Sequence, residues 1–168
     1  GRWGCAPRPG TERRIVAGGV GGMQAGDTHE GAPAGMPALR EAMVAREARL
    51  SGVNYDAAEI IVTPGGKFAV LASLMAIVEP GDEVLVPAPD YPLWTAAVSL
   101  SGGNPVHYIC DEQAGWFPDI DDMRRKITSN TKAIVVINPN NPTGALYPRE
   151  ILLEIVELAR PPQLIILA

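Results

Sequence analysis

The chain has 168 residues, of which 46% are hydrophobic and 20% charged, proportions that allow one ordinary domain or a piece of a larger one and exclude a wholly disordered or collagen-like protein. A formal charge of −5 removes long-range attraction to nucleic acid and to anionic membranes, so neither is an expected partner. No apolar run approaches the roughly 18 residues of a membrane span, residues 1–35 hold no export signal, and a cytoplasmic location is expected.

Two cysteines, Cys5 and Cys110, lie too far apart in composition and sequence to suggest a disulfide framework or a metal site, and both read as free thiols. Ten of the 18 glycines fall in residues 1–35, where the only apolar cluster is Ile15-Val16-Ala17. That is too little burial to offset ordering entropy, so residues 1–34 are expected to be a glycine-rich, disordered opening. A phosphate-binding glycine loop is not supported there, because no strong strand precedes residues 18–26 and no amphipathic helix follows.

From Met36 the pattern alternates between helical and strand periods. Leu39, Met43, Arg46 and Leu50 share a helical stripe over residues 36–50, with Pro37 tolerated in the first turn. Glu59-Ile60-Ile61-Val62-Thr63 predicts a strand ended by Pro64-Gly65-Gly66, and residues 67–78 predict a helix stopped by Pro80-Gly81. Strands follow at residues 83–86, 106–110, 132–137 and 164–167, with helices at 91–100, 119–127 and 148–160 between them. Five strands alternating with helices predict an α/β fold: a mainly parallel sheet with helices on both faces. The chain stops at Ala168 directly after a buried-type strand, so the sheet is expected to be truncated.

Three turns could carry chemistry. Thr63-Pro64-Gly65-Gly66-Lys67 sits at a helix entry, where unpaired N–H groups, the helix dipole and a lysine suit a phosphate, although the spacing matches neither the Walker loop nor the dinucleotide fingerprint. Pro87-Ala88-Pro89-Asp90-Tyr91-Pro92-Leu93-Trp94 brings two aromatic rings to a strand end, for stacking on a planar ligand or for packing. Asn138-Pro139-Asn140-Asn141-Pro142-Thr143-Gly144 follows another strand and offers side-chain amides to a ligand oxygen, or builds only a rigid turn.

Taken with Gly35-Met36-Pro37-Ala38-Leu39-Arg40 and Glu79-Pro80-Gly81-Asp82-Glu83-Val84, these segments resemble the class I/II aminotransferases of the pyridoxal-phosphate fold type I superfamily. Residues 90–100 and Trp116-Phe117-Pro118-Asp119 are most similar to bacterial alanine (glutamate–pyruvate) transaminases. The resemblance implies that residues 35–168 form an incomplete pyridoxal-phosphate-binding large domain. It implies pyridoxal 5'-phosphate as cofactor, with Gly66 and Lys67 on its phosphate, Tyr91 stacked on its ring and Asn141 bonded to its ring hydroxyl oxygen. It places Gly35 near the substrate, makes an amino acid and a 2-oxo acid the substrates of the complete enzyme, and implies a homodimer. The partner-subunit tyrosine that reaches the phosphate in the family would fall at Glu30 or Gly31 and is absent.

None of the three lysines, Lys67, Lys126 and Lys132, matches the family's Schiff-base lysine, so no catalytic residue is assigned and the chain alone is expected to be inactive. A non-catalytic phosphate- or partner-binding remnant, or another fold type I reaction such as carbon–sulfur lysis or a cyclopropane-forming elimination, stands as the alternative. The glycine-rich opening is expected to have no counterpart in the family, as if residues 1–28 were read from a disrupted frame.

Overall fold

A computed structural model describes residues 10–168, so Cys5 lies outside the described residues. The described chain divides into two compact units between Val62 and Thr63.

The first unit carries helix α1 (Arg13–Ala25) and helix α2 (Pro37–Leu50). Helix α1 forms where composition predicts open chain. It ends in a left-handed Gly26, with the N–H of Asp27 donating to Gly22 O at 2.9 Å, and it buries none of its residues. With four glycines in its interior, each costing about 1 kcal/mol against alanine, it has little to hold it beyond its own backbone bonds. Helix α2 starts at Pro37, as the sequence predicts, but its stripe stays open: Leu39, Met43 and Leu50 are all exposed.

The strand predicted at residues 59–63 does not form. Glu59 instead closes a short 3-10 helix (Ala57–Glu59) through a capping box, in which Ala58 N–H donates to Asp56 Oδ1 and Asp56 N–H donates to Glu59 Oε2, both at 2.7 Å. Val62 N–H then donates to Ala34 O at 2.9 Å, and Ile61 is exposed. Local capping outcompetes the β-branched run because no neighbouring strand takes up its amides.

The second unit is a five-stranded sheet in the order β3-β2-β1-β4-β5. Its strands are β1 (Glu83–Ala88), β2 (Asn104–Asp111), β3 (Phe117–Pro118), β4 (Thr131–Val135) and β5 (Ile165–Leu167). Four run parallel. The fifth, β3, pairs antiparallel with the end of β2 and is too short to leave a periodic signal in the sequence; Gly115 in the left-handed region turns the chain back so that Phe117 faces Asp111. Helices α3 (Gly66–Ile77), α4 (Leu93–Leu100), α5 (Ile120–Lys126) and α6 (Arg149–Ala159) lie between the strands, close to their predicted places.

Alternation along the strands builds a core on each face. Leu85, Tyr108, Cys110 and Ile134 turn to one face and pack with Met123 of α5 and Ile155 of α6. Val84, Val86, Ala133 and Val135 turn to the other and pack with Leu74 of α3 and Val98 of α4. Each fully buried aliphatic side chain contributes about 1.5–3 kcal/mol, so this double layer fixes the strand register and the direction of each loop at the strand ends.

The connections give the sheet its functional geometry. From β1 the chain passes through α4 to β2 on one side, and from β4 it passes through α6 to β5 on the other. Neighbouring strands β1 and β4 are therefore a topological switch point, where diverging loops open a crevice beyond the carboxyl ends.

Candidate functional site

Both sequence-singled loops flank that crevice. Tyr91 follows the carboxyl end of β1, and residues 138–144 follow β4, its direct parallel neighbour. Helix α3 joins them from one face: its Lys67 lines a groove with Leu93 at the start of α4, and its Ala69, Val70 and Ser73 share a hollow with Trp94 and the end of β5. These contacts set α3 beside the start of α4, directly after the Tyr91 loop, and beside the end of β5.

At the start of α3, Gly65 has φ +93°, a conformation that glycine adopts without strain, and a Cβ added at Gly66 would enter open space. Ala69 N–H makes the first helical bond, to Gly65 O at 3.3 Å, and among the described residues nothing accepts from the N–H groups of Gly66, Lys67 or Phe68. Three free amides, a clear approach and the exposed Lys67 ammonium form a cradle for a phosphate dianion.

The loop after β4 divides its three asparagines between two tasks. Asn138 Oδ1 accepts from Tyr147 N–H at 2.9 Å. Asn140, buried, accepts from Thr143 N–H at 3.2 Å and Thr143 Oγ1 at 2.9 Å, and its Nδ2 donates to Tyr147 Oη at 3.1 Å. Backbone bonds from Asn140 N–H to Ala145 O and from Gly144 N–H to Asn140 O, both 2.8 Å, close the turn. Asn141 is exposed, and its side chain bonds to no described residue. Turn chemistry accounts for Asn138 and Asn140 and leaves Asn141 with its amide free.

Tyr91 is half-buried, and its ring is of the kind that stacks on a planar ligand. Its loop is tied down by Thr95, whose Oγ1 donates to Asp90 Oδ2 at 2.6 Å and lies 3.0 Å from His107 Nε2 of β2. Asp90 and Thr95 lie in segments that the sequence marks out, but their link to His107 and the role of Tyr147 carry no sequence signal, because both are contacts made between distant residues. Free helix-entry amides, an aromatic ring and an unbonded carboxamide are groups whose chemistry suits a phosphorylated pyridine.

Comparison with known proteins gives the family. The family described as aminotransferase class I and II matches residues 23–168. The glutamate-pyruvate aminotransferase AlaA of Escherichia coli K12 is 59% identical over 110 residues, covering 66% of this chain and 27% of that protein. An alanine aminotransferase of Mycobacterium tuberculosis is 51% identical over 135 residues, 80% of this chain and 32% of that one. Among solved structures, the alanine aminotransferase from Pyrococcus furiosus superposes with a TM-score of 0.90 at 42% identity, over 92% of this chain and 39% of its own. A Thermus thermophilus aspartate aminotransferase reaches 0.91 at 37% identity, over 96% and 43%.

The chain therefore spans about a third of the length of the curated relatives it matches. The matches also extend into the glycine-rich opening: the family match begins at Met23, and structural likeness covers more of the chain still. That corrects the expectation that residues up to 28 have no counterpart. The relatives are transaminases, which does not favour the lyase or remnant alternative, and among the described residues no helix is long and apolar enough to cross a membrane. Class I and II aminotransferases are pyridoxal-phosphate enzymes, and with the α/β architecture and more than half the chain matched, this chain belongs to that family.

Proposed function

We propose that this chain is the part of a pyridoxal-phosphate-dependent alanine (glutamate–pyruvate) aminotransferase that grips the cofactor's phosphate and one face and edge of its ring. The observation that carries the reading is the division of labour after β4, where Asn138 and Asn140 hold the turn and Asn141 is left free beside the β1–β4 crevice. In this reading the amides of Gly66 and Lys67 donate to the phosphate, and the Lys67 ammonium adds charge. The Tyr91 ring stacks on the pyridine and excludes water from that face. Asn141 Nδ2 donates to the ring hydroxyl oxygen and sets the ring's rotation in the crevice. When bound, the cofactor supplies an electron sink for the amino acid's Cα carbanion.

The proton-transferring lysine is not among these residues. Lys67 is used at the phosphate. Lys126 Nζ donates to Asp122 Oδ2 and His107 O, both at 2.7 Å, and Lys132 is the second residue of β4. The complete protein would take an amino acid and a 2-oxo acid as substrates, act as a homodimer and work in the cytoplasm. Names and identities of the bacterial relatives support the substrate class.

The test is titration of the chain with pyridoxal 5'-phosphate, followed by its absorbance, and then by borohydride reduction and peptide mapping. Saturable binding is expected, weakened in Lys67→Ala and Asn141→Ala, with no pyridoxyl group fixed to any of the three lysines. Failure of the unsubstituted chain to bind, or a reduced adduct on Lys126 or Lys132, would defeat the reading.

A further inference from the structure

Tyr147 lies outside the residues assigned to the cofactor, yet the asparagine turn closes on it. Its ring is buried against β2 and meets the Phe117 ring edge-on, with centroids 6.4 Å apart and planes at 89°. Its N–H donates to Asn138 Oδ1, and its Oη accepts from Asn140 Nδ2. On the far side, Cys110 Sγ of β2 lies 3.8 Å from the same oxygen. One residue therefore holds two of the three loop asparagines, one by backbone and one by side chain, and anchors them to the central sheet. Asn141 stands directly after Asn140, so the geometry of its free amide is set through that bond.

We propose that Tyr147 is a positioning residue for Asn141: its hydroxyl, through Asn140, aims the Asn141 carboxamide into the β1–β4 crevice. This rests on the reading of Asn141 as the ligand to the ring hydroxyl. The buried Asn140 amide has no water to fall back on, so losing its acceptor leaves the Nδ2 unpaired and drives the turn to rearrange. Tyr147→Phe keeps the ring and its contact with Phe117, and removes the acceptor of Asn140 Nδ2 together with the long contact to Cys110 Sγ.

The experiment uses the 168-residue chain and two probes, pyridoxamine 5'-phosphate, which needs no lysine, and inorganic phosphate. Affinities are measured by calorimetry for the unsubstituted chain, Tyr147→Phe, Asn141→Ala and the double variant. Tyr147→Phe is expected to weaken pyridoxamine 5'-phosphate about three- to tenfold, the value of one hydrogen bond, with inorganic phosphate unaffected. In the Asn141→Ala background the same change is expected to have no further effect. Equal losses in both backgrounds would mean that Tyr147 acts only by general stability, and would overturn the proposal.

Hydrogen exchange supplies a ligand-free measure. Tyr147→Phe should speed exchange at the Gly144 N–H and the Asn140 N–H, and leave Val84 and Leu85 unchanged. Unaltered exchange in the turn would also overturn the proposal. Failure of the unsubstituted chain to bind either probe, with the exchange effect intact, would instead reject the cofactor reading and leave Tyr147 as an anchor of the turn alone.

Discussion

Replacing Asp122 by alanine gives the sharpest stability test of this sheet. Asp122 lies in the first turn of α5 with a side chain only 7% exposed, and it gathers three donors: Ile109 N–H at 2.9 Å, Lys126 Nζ at 2.7 Å and Arg125 Nη2 at 3.3 Å. Burial alone would push its carboxyl up, but the Lys126 bond, the Ile109 amide, the Lys126 charge and Arg125 together hold it below the ordinary value. Alanine leaves the Ile109 amide without its acceptor, at about 1–3 kcal/mol, and frees Lys126, itself 31% exposed, from a pair worth about 1 kcal/mol. The sum is about 2–4 kcal/mol, or roughly 5–15 °C in Tm for a chain of this size. Asp122→Asn keeps one acceptor and should lose about half as much. The pH dependence has a fixed sign. With the folded pKa depressed, the contribution is complete above the unfolded value near ~3.9 and is lost as pH falls through the lower folded value. Urea melts of the three proteins at pH 7 and in a series down to acid would show the difference between parent and Asp122→Asn shrinking as pH falls. A loss below about 0.5 kcal/mol at neutral pH, or a constant difference across the acid range, would refute the assignment of Asp122 as the clasp between α5 and β2.

Gly103→Ala should cost about 1–3 kcal/mol in chemical denaturation, because the new Cβ would sit 2.6 Å from Val78 Cγ1 and 3.2 Å from Asp82 O, within the α3–α4 core face. Gly35→Ala combines φ +101° with a Cβ 2.6 Å from Val62 Cβ, so it should speed exchange of the Val62 N–H that bonds to Ala34 O. Burial raises the phenols of Tyr108 and Tyr147, so both stabilise the fold fully below the unfolded value near ~10 and lose that contribution as pH rises above it; Tyr108→Phe should lose about 1 kcal/mol from the bond to Val135 O and soften the alkaline transition seen by circular dichroism. Burial also pushes the Cys110 thiol up. Iodoacetamide at neutral pH should modify that peptide slowly in the native chain and rapidly in denaturant, as followed by mass spectrometry.

Periodicity revealed the elements that bury a full face. The β1 run Glu83-Val84-Leu85-Val86 and the α6 pattern from Arg149 to Ala159 are legible because their apolar residues meet the core on every turn or pleat. The strand expected at Glu59 to Thr63 fails because propensity is local whereas pairing needs a neighbour, and the N–H groups of Glu59 and Ile60 go to Asp56 O and Ala57 O in the short helix that the capping box closes. β3 escaped notice because two residues carry no period, and its cause is a left-handed Gly115 followed by Trp116 with φ 64°. Lys67, Tyr91 and Asn141 stand out in the sequence because each sits in a turn motif after a strand or at a helix entry. Tyr147 and His107 do not, since their roles come from contacts made across the sheet by residues that look like ordinary core and surface.

The separation of duties among the three asparagines has an evolutionary corollary. Substitutions at Asn138 or Asn140 should damage folding whether or not the gene's product is still used for catalysis, whereas Asn141, on the role proposed for it, is under constraint only while a ligand is bound. A duplicate copy relieved of enzymatic selection would drift at Asn141 first and keep its two companions, so the ratio of change at these near-adjacent codons records whether a lineage still depends on the chemistry.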